Sequence, residues 1–141
     1  MGWRKDQVTS AGGVLLSISP RSEDHAVLRR ILEAALWRVD EADGCETAFR
    51  FLSSRPVAAI VTNDRLPDGD WMCILGHVQA QVRPPNLIVA SFHADDRLWA
   101  AVLNLGGYDV LSKPFDAGEV RWVVSRVCPP PAKGDVATRA A

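Results

Sequence analysis

The chain has 141 residues, which is the size of one ordinary domain and excludes a multidomain enzyme. Hydrophobic residues make up 48% of the sequence and charged residues 23%, so the chain can bury a core and is not disordered as a whole. Its 16 Lys and Arg against 17 Asp and Glu give a formal net charge of −1, so no overall field attracts nucleic acid or an anionic membrane.

The three cysteines, Cys45, Cys73 and Cys128, fit neither a disulfide framework nor a C-x-x-C metal or redox motif. Their odd number favours a reducing compartment, so we expect a cytoplasmic protein. The three histidines are scattered as well, which predicts no metal site. The first residues lack the apolar region of a secretory signal, and charge-free stretches such as residues 71–82 are too short and polar to cross a bilayer.

The two ends of the chain differ in composition from its centre. Residues 1–12 are polar and end in glycine, and residues 129–141 are rich in proline and then in small polar residues. We predict disordered tails there and one folded domain over residues 13–128. Within the domain, segments of helical period alternate with strand-like apolar runs, of which the clearest are residues 14–18, 57–61 and 87–90.

The amino-terminal half predicts an alternation of strands and helices. After the first strand, Ser22 or Asp24 can cap a helix whose apolar residues recur at i, i+3, i+4 and i+7 and which ends near Trp37. Residues 38–42 form a weaker strand, and a second helix follows it until Pro56 ends the helix. The third strand begins directly after this break.

The carboxyl-terminal half continues the alternation. Asp70 is a suitable cap for a third helix over residues 71–82, and the fourth strand follows that helix. A fourth helix over residues 94–105 ends at a pair of glycines. Residues 108–112 form the fifth strand, and Asp116 caps a final helix that ends at a proline.

Five strands, each followed by a helix, predict an α/β fold with a doubly wound parallel sheet. The apolar strands lack a clean alternation, which is typical of a sheet covered on both faces by right-handed crossovers. Such sheets bind ligands at the carboxyl ends of their strands. This rule directs attention to Ser19-Pro20, Asn63-Asp64, Ser91 and Lys113.

Three segments resemble the signatures of one family. Residues 64–69 (DRLPDG) resemble its loop after the third strand, residues 105–111 (LGGYDVL) its AGADDYL segment, and residues 112–115 (SKPF) its xKPF signature. The chain thus resembles the CheY-like receiver domain of two-component response regulators. The resemblance implies a flavodoxin-like sheet of strand order 2-1-3-4-5 and a cis bond between Lys113 and Pro114.

The resemblance also implies a chemistry, the transfer of a phosphoryl group to an Asp at the end of the third strand. The usual receiver apparatus adds an acidic pair after the first strand, a Ser or Thr after the fourth and a Lys after the fifth. Carboxylates hold Mg²⁺ through oxygen ligands, and the Mg²⁺ and the Lys neutralise the transferring group. A receiver without these carboxylates loses the metal.

On this sequence, the resemblance places Ser19 and Pro20 at the acidic-pair positions and Asn63 at the acceptor position. Ser91 matches the Ser or Thr, and Lys113 matches the Lys. The phosphate-binding half of the apparatus is therefore kept, while the metal-binding half is lost. We interpret the chain as a degenerate receiver, or pseudo-receiver, and expect no Mg²⁺, no other cofactor and no catalytic residue.

Two interpretations of the remaining polar groups stay open. Asn63 and Ser91 either hydrogen-bond Lys113 or nearby backbone as a structural remnant, or Lys113 and backbone N–H groups bind a small anion. Two further positions depart from the family. Val110 stands at the switch position, where the family usually has an aromatic residue, and Trp71 stands where it usually has Gly.

Asp64 is the alternative phosphoryl acceptor. Sliding the alignment by one residue would place it at the acceptor position, with Glu23 or Asp24 as substitute acids. Neighbouring strand residues point to opposite sides, however, and the fixed spacing to Leu66-Pro67 argues against the shift. A phosphorylatable receiver that uses Asp64 remains the nearer alternative.

We expect a signalling module that acts by protein-protein contact in a two-component or phosphorelay context, without Asp phosphorylation. Its partner would be a histidine kinase, another regulator, or a second copy in a homodimer. We expect no direct nucleic-acid or membrane partner, because no helix-turn-helix follows the receiver-like residues in this chain. A flavodoxin-like small-ligand-binding or enzymatic domain is the more distant alternative.

Helical geometry predicts the interaction surface. At about 100° per residue, Leu105 lies on the inward stripe of the fourth helix, whereas Trp99 and Leu103 lie outside it. In the fifth helix, Trp122 lies roughly 200° from the inward residue Val120. Trp99, Leu103 and Trp122 are therefore the candidate interface for self-association or partner docking.

Overall fold

The structure is a computed structural model that describes residues 13–127, and it confirms the parallel sheet. Five strands form this sheet: β1 (Val14–Ile18), β2 (Arg38–Ala42), β3 (Ala59–Asn63), β6 (Asn86–Ser91) and β7 (Asp109–Ser112). Their order is β2-β1-β3-β6-β7, which is the expected order 2-1-3-4-5. Between β3 and β6, β4 (Arg65–Leu66) and β5 (Gly69–Asp70) form a short antiparallel hairpin that the sequence did not predict.

Four helices connect consecutive strands of the sheet, and a fifth helix follows the last strand. They are α1 (Ser22–Glu33), α2 (Cys45–Ser54), α3 (Trp71–Gln79), α4 (Asp96–Leu105) and α5 (Ala117–Val127). Helices α1 and α5 pack on one face of the sheet, and α2, α3 and α4 pack on the other. The doubly wound arrangement is therefore confirmed.

The two faces explain why the strands are continuously apolar. Neighbouring residues of a strand point to opposite faces, so Leu15 packs against α1 and α5 while Leu16 packs against the other three helices. Both leucines are fully buried. Because both faces of the strands are covered by helices, polar side chains meet in the last residues of each strand and in the loops that follow.

Several predicted boundaries were wrong by a few residues. Helix α1 ends at Glu33, before Trp37, because Leu36 adopts a left-handed backbone with a φ of 65° and turns the chain back toward the sheet. Helix α3 ends at Gln79, before residue 82, and α4 begins at Asp96, after residue 94. Strand β3 covers residues 59–63 and lies two residues later than predicted.

The predicted amino-terminal caps are confirmed for α3 and α5 and are wrong for α1. Asp70 caps α3 and accepts hydrogen bonds from the backbone N–H groups of Met72 and Cys73. Asp116 accepts from the backbone N–H of Glu119 at the start of α5, as expected. The prediction that Ser22 or Asp24 caps α1 was wrong, because the cap position is one residue earlier and both side chains lie inside the helix.

Among residues 13–127, no helix is long and apolar enough to span a membrane. The predicted tails, residues 1–12 and 129–141, lie outside the described residues, as does Cys128. The bond between Lys113 and Pro114 is cis, which confirms that expectation.

Candidate functional site

The side chains singled out by the sequence lie where the carboxyl ends of β1, β3, β6 and β7 meet. Ser19 and Pro20 follow β1, Asn63 ends β3, Ser91 ends β6 and Lys113 follows β7. The backbone N–H of Lys113 donates to the carbonyl oxygen of Ser91 at 2.9 Å, which joins the last two of these ends. The topology therefore assembles the predicted positions at one edge of the sheet.

A buried ion pair lies at the centre of this edge. Lys113 Nζ is 2.6 Å from Oδ2 of Asp24, a residue in the first turn of α1. Only 7% of each residue is exposed. The hydroxyl of Ser19 donates to the same Asp24 oxygen at 2.7 Å. Asp24 therefore neutralises the lysine from the helix.

A histidine behind the ion pair extends the network. His25 Nε2 is 2.9 Å from the carbonyl oxygen of Ser19, and its Nδ1 is 2.8 Å from the hydroxyl oxygen of Ser17. Because a carbonyl can only accept, Nε2 carries a proton and donates it to the Ser19 oxygen. The histidine thus fixes the backbone of Ser19, whose hydroxyl holds Asp24.

Asn63, at the acceptor position, has a hydrogen-bond partner outside the network of Asp24 and Lys113. The side-chain amide of Asn63 donates to the carbonyl oxygen of Arg65 at 2.9 Å. Asp64 accepts from the hydroxyl of Ser91 at 2.8 Å and from the backbone N–H of Arg65 at 3.0 Å. The structure therefore brings Asp64, rather than Asn63, to Ser91.

These contacts decide between the partners expected for Asn63 and Ser91, which were Lys113 or nearby backbone. Both side chains contact backbone, since Asn63 donates to the carbonyl oxygen of Arg65 and Ser91 accepts from the N–H of His93. Neither contacts the Lys113 side chain, because its ammonium binds the Asp24 carboxylate. The alternative of a small-anion site loses its cation for the same reason. A lysine that is nearly buried and already paired offers little attraction to a free anion.

An exposed aromatic ring and an arginine lie over the ion pair. Lys113 Nζ is 5.3 Å from the centre of the Phe92 ring, and the guanidinium of Arg21 lies 5.6 Å from the same ring. Arg21 also approaches the second oxygen of Asp24, at 4.0 Å. The cation–π contact with Phe92 further stabilises the Lys113 ammonium at this site.

The residues at this edge offer poor ligands for Mg²⁺. The two positions after β1 carry a hydroxyl and a proline, and the nearby Asp24 carboxylate is committed to Lys113 and Ser19. Among the residues that the structure describes, no group of three or more His, Cys, Asp or Glu could hold a metal ion. The donor set therefore does not fit the hard cation that the fold family uses.

Val110 and Trp71, the two positions that depart from the family, are both buried. They belong to the core on the α2, α3 and α4 face, together with Val89 and Val102. Val110 has no ring that could move between an exposed and a buried position. Trp71 begins α3, and its backbone N–H donates to the carbonyl oxygen of Asp64.

The candidate interface is largely exposed. Trp122 is 59% exposed and Trp99 is 50% exposed, as helical geometry predicts, whereas Leu103 is half-buried. Leu105, which was placed on the inward stripe, is 50% exposed because it sits at the very end of α4. The exposed surface of α4 therefore extends farther toward its carboxyl end than predicted.

The comparison with protein families agrees with this geometry. Residues 22–125 match the response regulator receiver domain. The chain belongs to this family. Receiver domains are the signalling modules of two-component systems, and the family assignment favours that role over a flavodoxin-like ligand-binding or enzymatic domain.

Two curated relatives show how much of a longer protein the chain matches. It is 31% identical over 109 residues to the response regulator protein PilR of Pseudomonas aeruginosa, covering 73% of this chain and 24% of PilR. It is 32% identical over 103 residues to the KDP operon transcriptional regulatory protein KdpE of Escherichia coli, covering 70% of this chain and 45% of KdpE. The chain thus spans less than half the length of these relatives.

Solved receiver structures share the fold at low identity. The chemotaxis response regulator CheY4 of Vibrio cholerae superposes with a TM-score of 0.75 at 14% identity, over 82% of this chain and 98% of CheY4. The beryllofluoride-activated NtrC4 receiver domain dimer superposes with a TM-score of 0.75 at 20% identity, over 81% and 94% of the two chains. At these identities the likeness supports the architecture alone.

Sequence reasoning found the positions at the strand ends but missed how they are joined. It considered Asp24 as a helix cap or a substitute acid, and it assigned no role to His25 or Ser17. Asp24 and His25 are both buried residues of the amphipathic helix α1. A carboxylate and a histidine on the apolar face of a helix that follows β1 were the available signal.

Proposed function

We propose that this chain is a receiver domain that signals through protein contact and accepts no phosphoryl group at the carboxyl end of β3. The observation that carries the proposal is the buried ion pair of Asp24 and Lys113. The Asp24 carboxylate is paired with Lys113, which matches the lysine that receivers use to neutralise the transferring phosphoryl group. The site therefore resembles a receiver in which that charge is already balanced.

The energetics of burial support this proposal. A phosphoryl group that used Lys113 would have to displace Asp24 from it, and Asp24 would then be a buried carboxylate without its counter-ion. Breaking a buried ion pair in this way is strongly unfavourable. Ser19 adds a hydrogen bond that keeps Asp24 in place.

The residues at the acidic-pair and acceptor positions support the same proposal with regard to Mg²⁺. Phosphoryl transfer to a carboxylate needs a cation to offset the charge of the attacking and transferred groups. Ser19 and Pro20 provide no carboxylate for it, and Asn63 provides an amide at the acceptor position. We therefore propose that Mg²⁺ has no role in this domain.

Asp64 carries the second candidate function, a phosphorylatable receiver, because its carboxylate lies 2.8 Å from the hydroxyl of Ser91. Against this candidate, one oxygen of Asp64 accepts from Ser91 and the other from the backbone of Arg65, while the Lys113 ammonium is held by Asp24. Asp64 thus has the hydroxyl partner of an acceptor but lacks its cation.

A small phosphodonor, such as acetyl phosphate, with Mg²⁺ separates the two functions. Intact-mass analysis of the full chain should show no added phosphoryl group. An increase by one phosphoryl group that disappears in an Asp64→Asn variant would establish the second candidate and overturn the first. A Glu33→Gln variant, which changes an exposed carboxylate at the other end of α1, serves as the matched control.

For the contact surface, we propose self-association through Trp99, Leu103 and Trp122. Two tryptophans that are half or more exposed, on the two helices that flank the outermost strand β7, are suitable interface anchors. The NtrC4 receiver domain with the same fold is described as a dimer. A histidine kinase or another regulator that binds the same surface is the competing partner.

We also propose a cytoplasmic location, because the cysteine content favours a reducing compartment.

A further inference from the structure

Two cysteines that are far apart in sequence meet beside the loop that follows β3. Cys45 is the first residue of α2, and Cys73 lies in the first turn of α3. A methyl group placed on Gly69 would lie 2.7 Å from Cys45 Sγ and 3.6 Å from Cys73 Sγ. Both sulfur atoms therefore border the same space above Gly69.

The two thiols differ in access to solvent. Cys45 is buried, with 3% of the residue exposed, whereas Cys73 is exposed. Burial, followed by the charge of Asp68 and a hydrogen bond to it, raises the pKa of the Cys45 thiol to about 12. An oxidant in solution therefore reaches Cys73 first, and Cys45 is a protonated thiol at neutral pH that an oxidised Cys73 can meet inside the fold.

The position of Cys45 is fixed by the backbone around it. The Asp68 carboxylate accepts hydrogen bonds from the backbone N–H groups of Cys45, at 2.7 Å, and Glu46, at 3.1 Å. The loop that carries Asp68 and Gly69 is thus attached to the start of α2. Cys73 is fixed in turn by the Asp70 cap of α3.

We propose that Cys45 and Cys73 form a reversible disulfide when the protein meets a peroxide. The Cys73 thiolate attacks a peroxide oxygen, the O–O bond breaks, and Cys73 becomes a sulfenic acid while the released hydroxide takes up a proton. The sulfur of Cys45 then attacks the Cys73 sulfur. The S–S bond forms, and the sulfenic hydroxyl leaves with the Cys45 proton as water.

The disulfide would couple the redox state of the cell to the geometry of the receiver. It joins the starts of α2 and α3 across Gly69, so it closes a covalent loop that contains all of β3 and the β4–β5 hairpin. That loop carries Asn63 and Asp64. This inference is independent of the proposed loss of phosphorylation, because it uses neither Asp24 nor Lys113.

Peroxide treatment of the full chain tests the disulfide, with Cys128→Ser as the background so that only the two thiols remain. We expect intact mass to fall by two hydrogen atoms, a peptide linking Cys45 to Cys73, recovery of both thiols with dithiothreitol, and a higher Tm for the oxidised form. Cys73→Ser is the control and should lose the effect. Sulfinic acid at Cys73 with Cys45 still free, or a disulfide between chains only, would overturn the proposal.

A kinetic test avoids substitutions of the cysteines themselves. Asp68→Asn removes a charge that raises the pKa of Cys45, so intramolecular disulfide formation should accelerate severalfold at neutral pH. Glu46→Gln, an exposed carboxylate on the next residue, is the matched control and should leave the rate unchanged. Equal rates in the wild type and Asp68→Asn would contradict the assignment of Cys45 as the resolving thiol.

Discussion

At the scale of single residues, the site is defined by a carboxylate that lies on a helix instead of at the end of β1. Ser19 and Pro20 stand where a receiver usually has acids, and Asp24 reaches Lys113 from the first turn of α1. The sequence indicated the strand-end residues because strand ends are easy to locate. It could not indicate the partner of Lys113, since the direction of Asp24 depends on whether the helix begins at Ser22 or later.

Replacement of Asp24 tests the ion pair directly. Asp24→Asn should lower the free energy of unfolding by about 3–5 kcal/mol, because Lys113 is left buried without a counter-ion. Urea unfolding measures this change. Glu23→Gln should cost less than about 0.5 kcal/mol, because Glu23 is exposed.

The second half of this test restores neutrality. Lys113→Met in the Asp24→Asn background should recover most of the lost stability, because no unpaired charge then remains in the buried site. A single Asp24→Asn variant as stable as the wild type, or a double variant that is no better than the single one, would show that the pair contributes little.

The acceptor position gives another prediction at this scale. Asn63→Asp alone should not restore phosphorylation by a small phosphodonor, because Ser19 and Pro20 still provide no carboxylate for Mg²⁺ and Lys113 stays paired with Asp24. Intact-mass analysis with and without Mg²⁺ checks this. A Mg²⁺-dependent phosphoryl adduct on the single variant would be incompatible with the proposed site.

At the scale of elements, helices α4 and α5 keep large apolar side chains in solvent while their inward faces are filled. The inward stripe of α5, Val120, Val123, Val124 and Val127, is buried as predicted. Periodicity therefore located the faces of these helices. It located their ends less well, because ends depend on turns such as the left-handed Leu36.

The exposed tryptophans give a prediction for assembly. Replacing Trp99 and Trp122 by Gln should weaken self-association at least tenfold in analytical ultracentrifugation, because aromatic anchors carry much of the energy of an interface. Val82→Ser, which alters a side chain that is 97% exposed in the segment between α3 and β6, is the control. A wild type that is monomeric at high concentration would rule out the dimer.

The cap of α2 gives a prediction for pH. Hydrogen bonds from the backbone N–H groups of Cys45 and Glu46 hold the pKa of Asp68 below its ordinary value of 3.8. The stabilisation from this carboxylate is therefore present above pH 3.8 and is lost as pH falls through the lowered pKa.

Asp68→Asn removes that titration. Its stability should fall less steeply with acid than that of the wild type below about pH 4, as measured by urea midpoints over a pH series. Equal acid dependence of the two proteins would show that Asp68 does not act as the cap in solution.

At the scale of the whole molecule, the order of elements and the motifs around Lys113 were sufficient to predict the sheet, its strand order and the family. The polar network was not predictable to the same extent. It joins Ser17, Ser19, Asp24, His25 and Lys113, and the last of these lies far from the others in sequence. Only the folded sheet brings α1 and the end of β7 together.

The same limit applies to the cysteines. Their spacing excluded the familiar motifs, yet the fold brings Cys45 and Cys73 to one glycine. Helix starts on the same face of a doubly wound sheet are neighbours in space, although a strand and a hairpin separate them in sequence. Contacts of this kind follow from topology and cannot be read from local pattern.

The central claim is that the carboxyl end of β3 does not respond to phosphoryl chemistry. Titration of the full chain with beryllofluoride and Mg²⁺, followed by amide NMR shifts, tests it most directly. The account predicts no saturable shifts at Asn63, Asp64, Ser91 and Lys113. Saturable, Mg²⁺-dependent shifts focused on those four residues would contradict it and would assign a working phosphorylation site to this receiver.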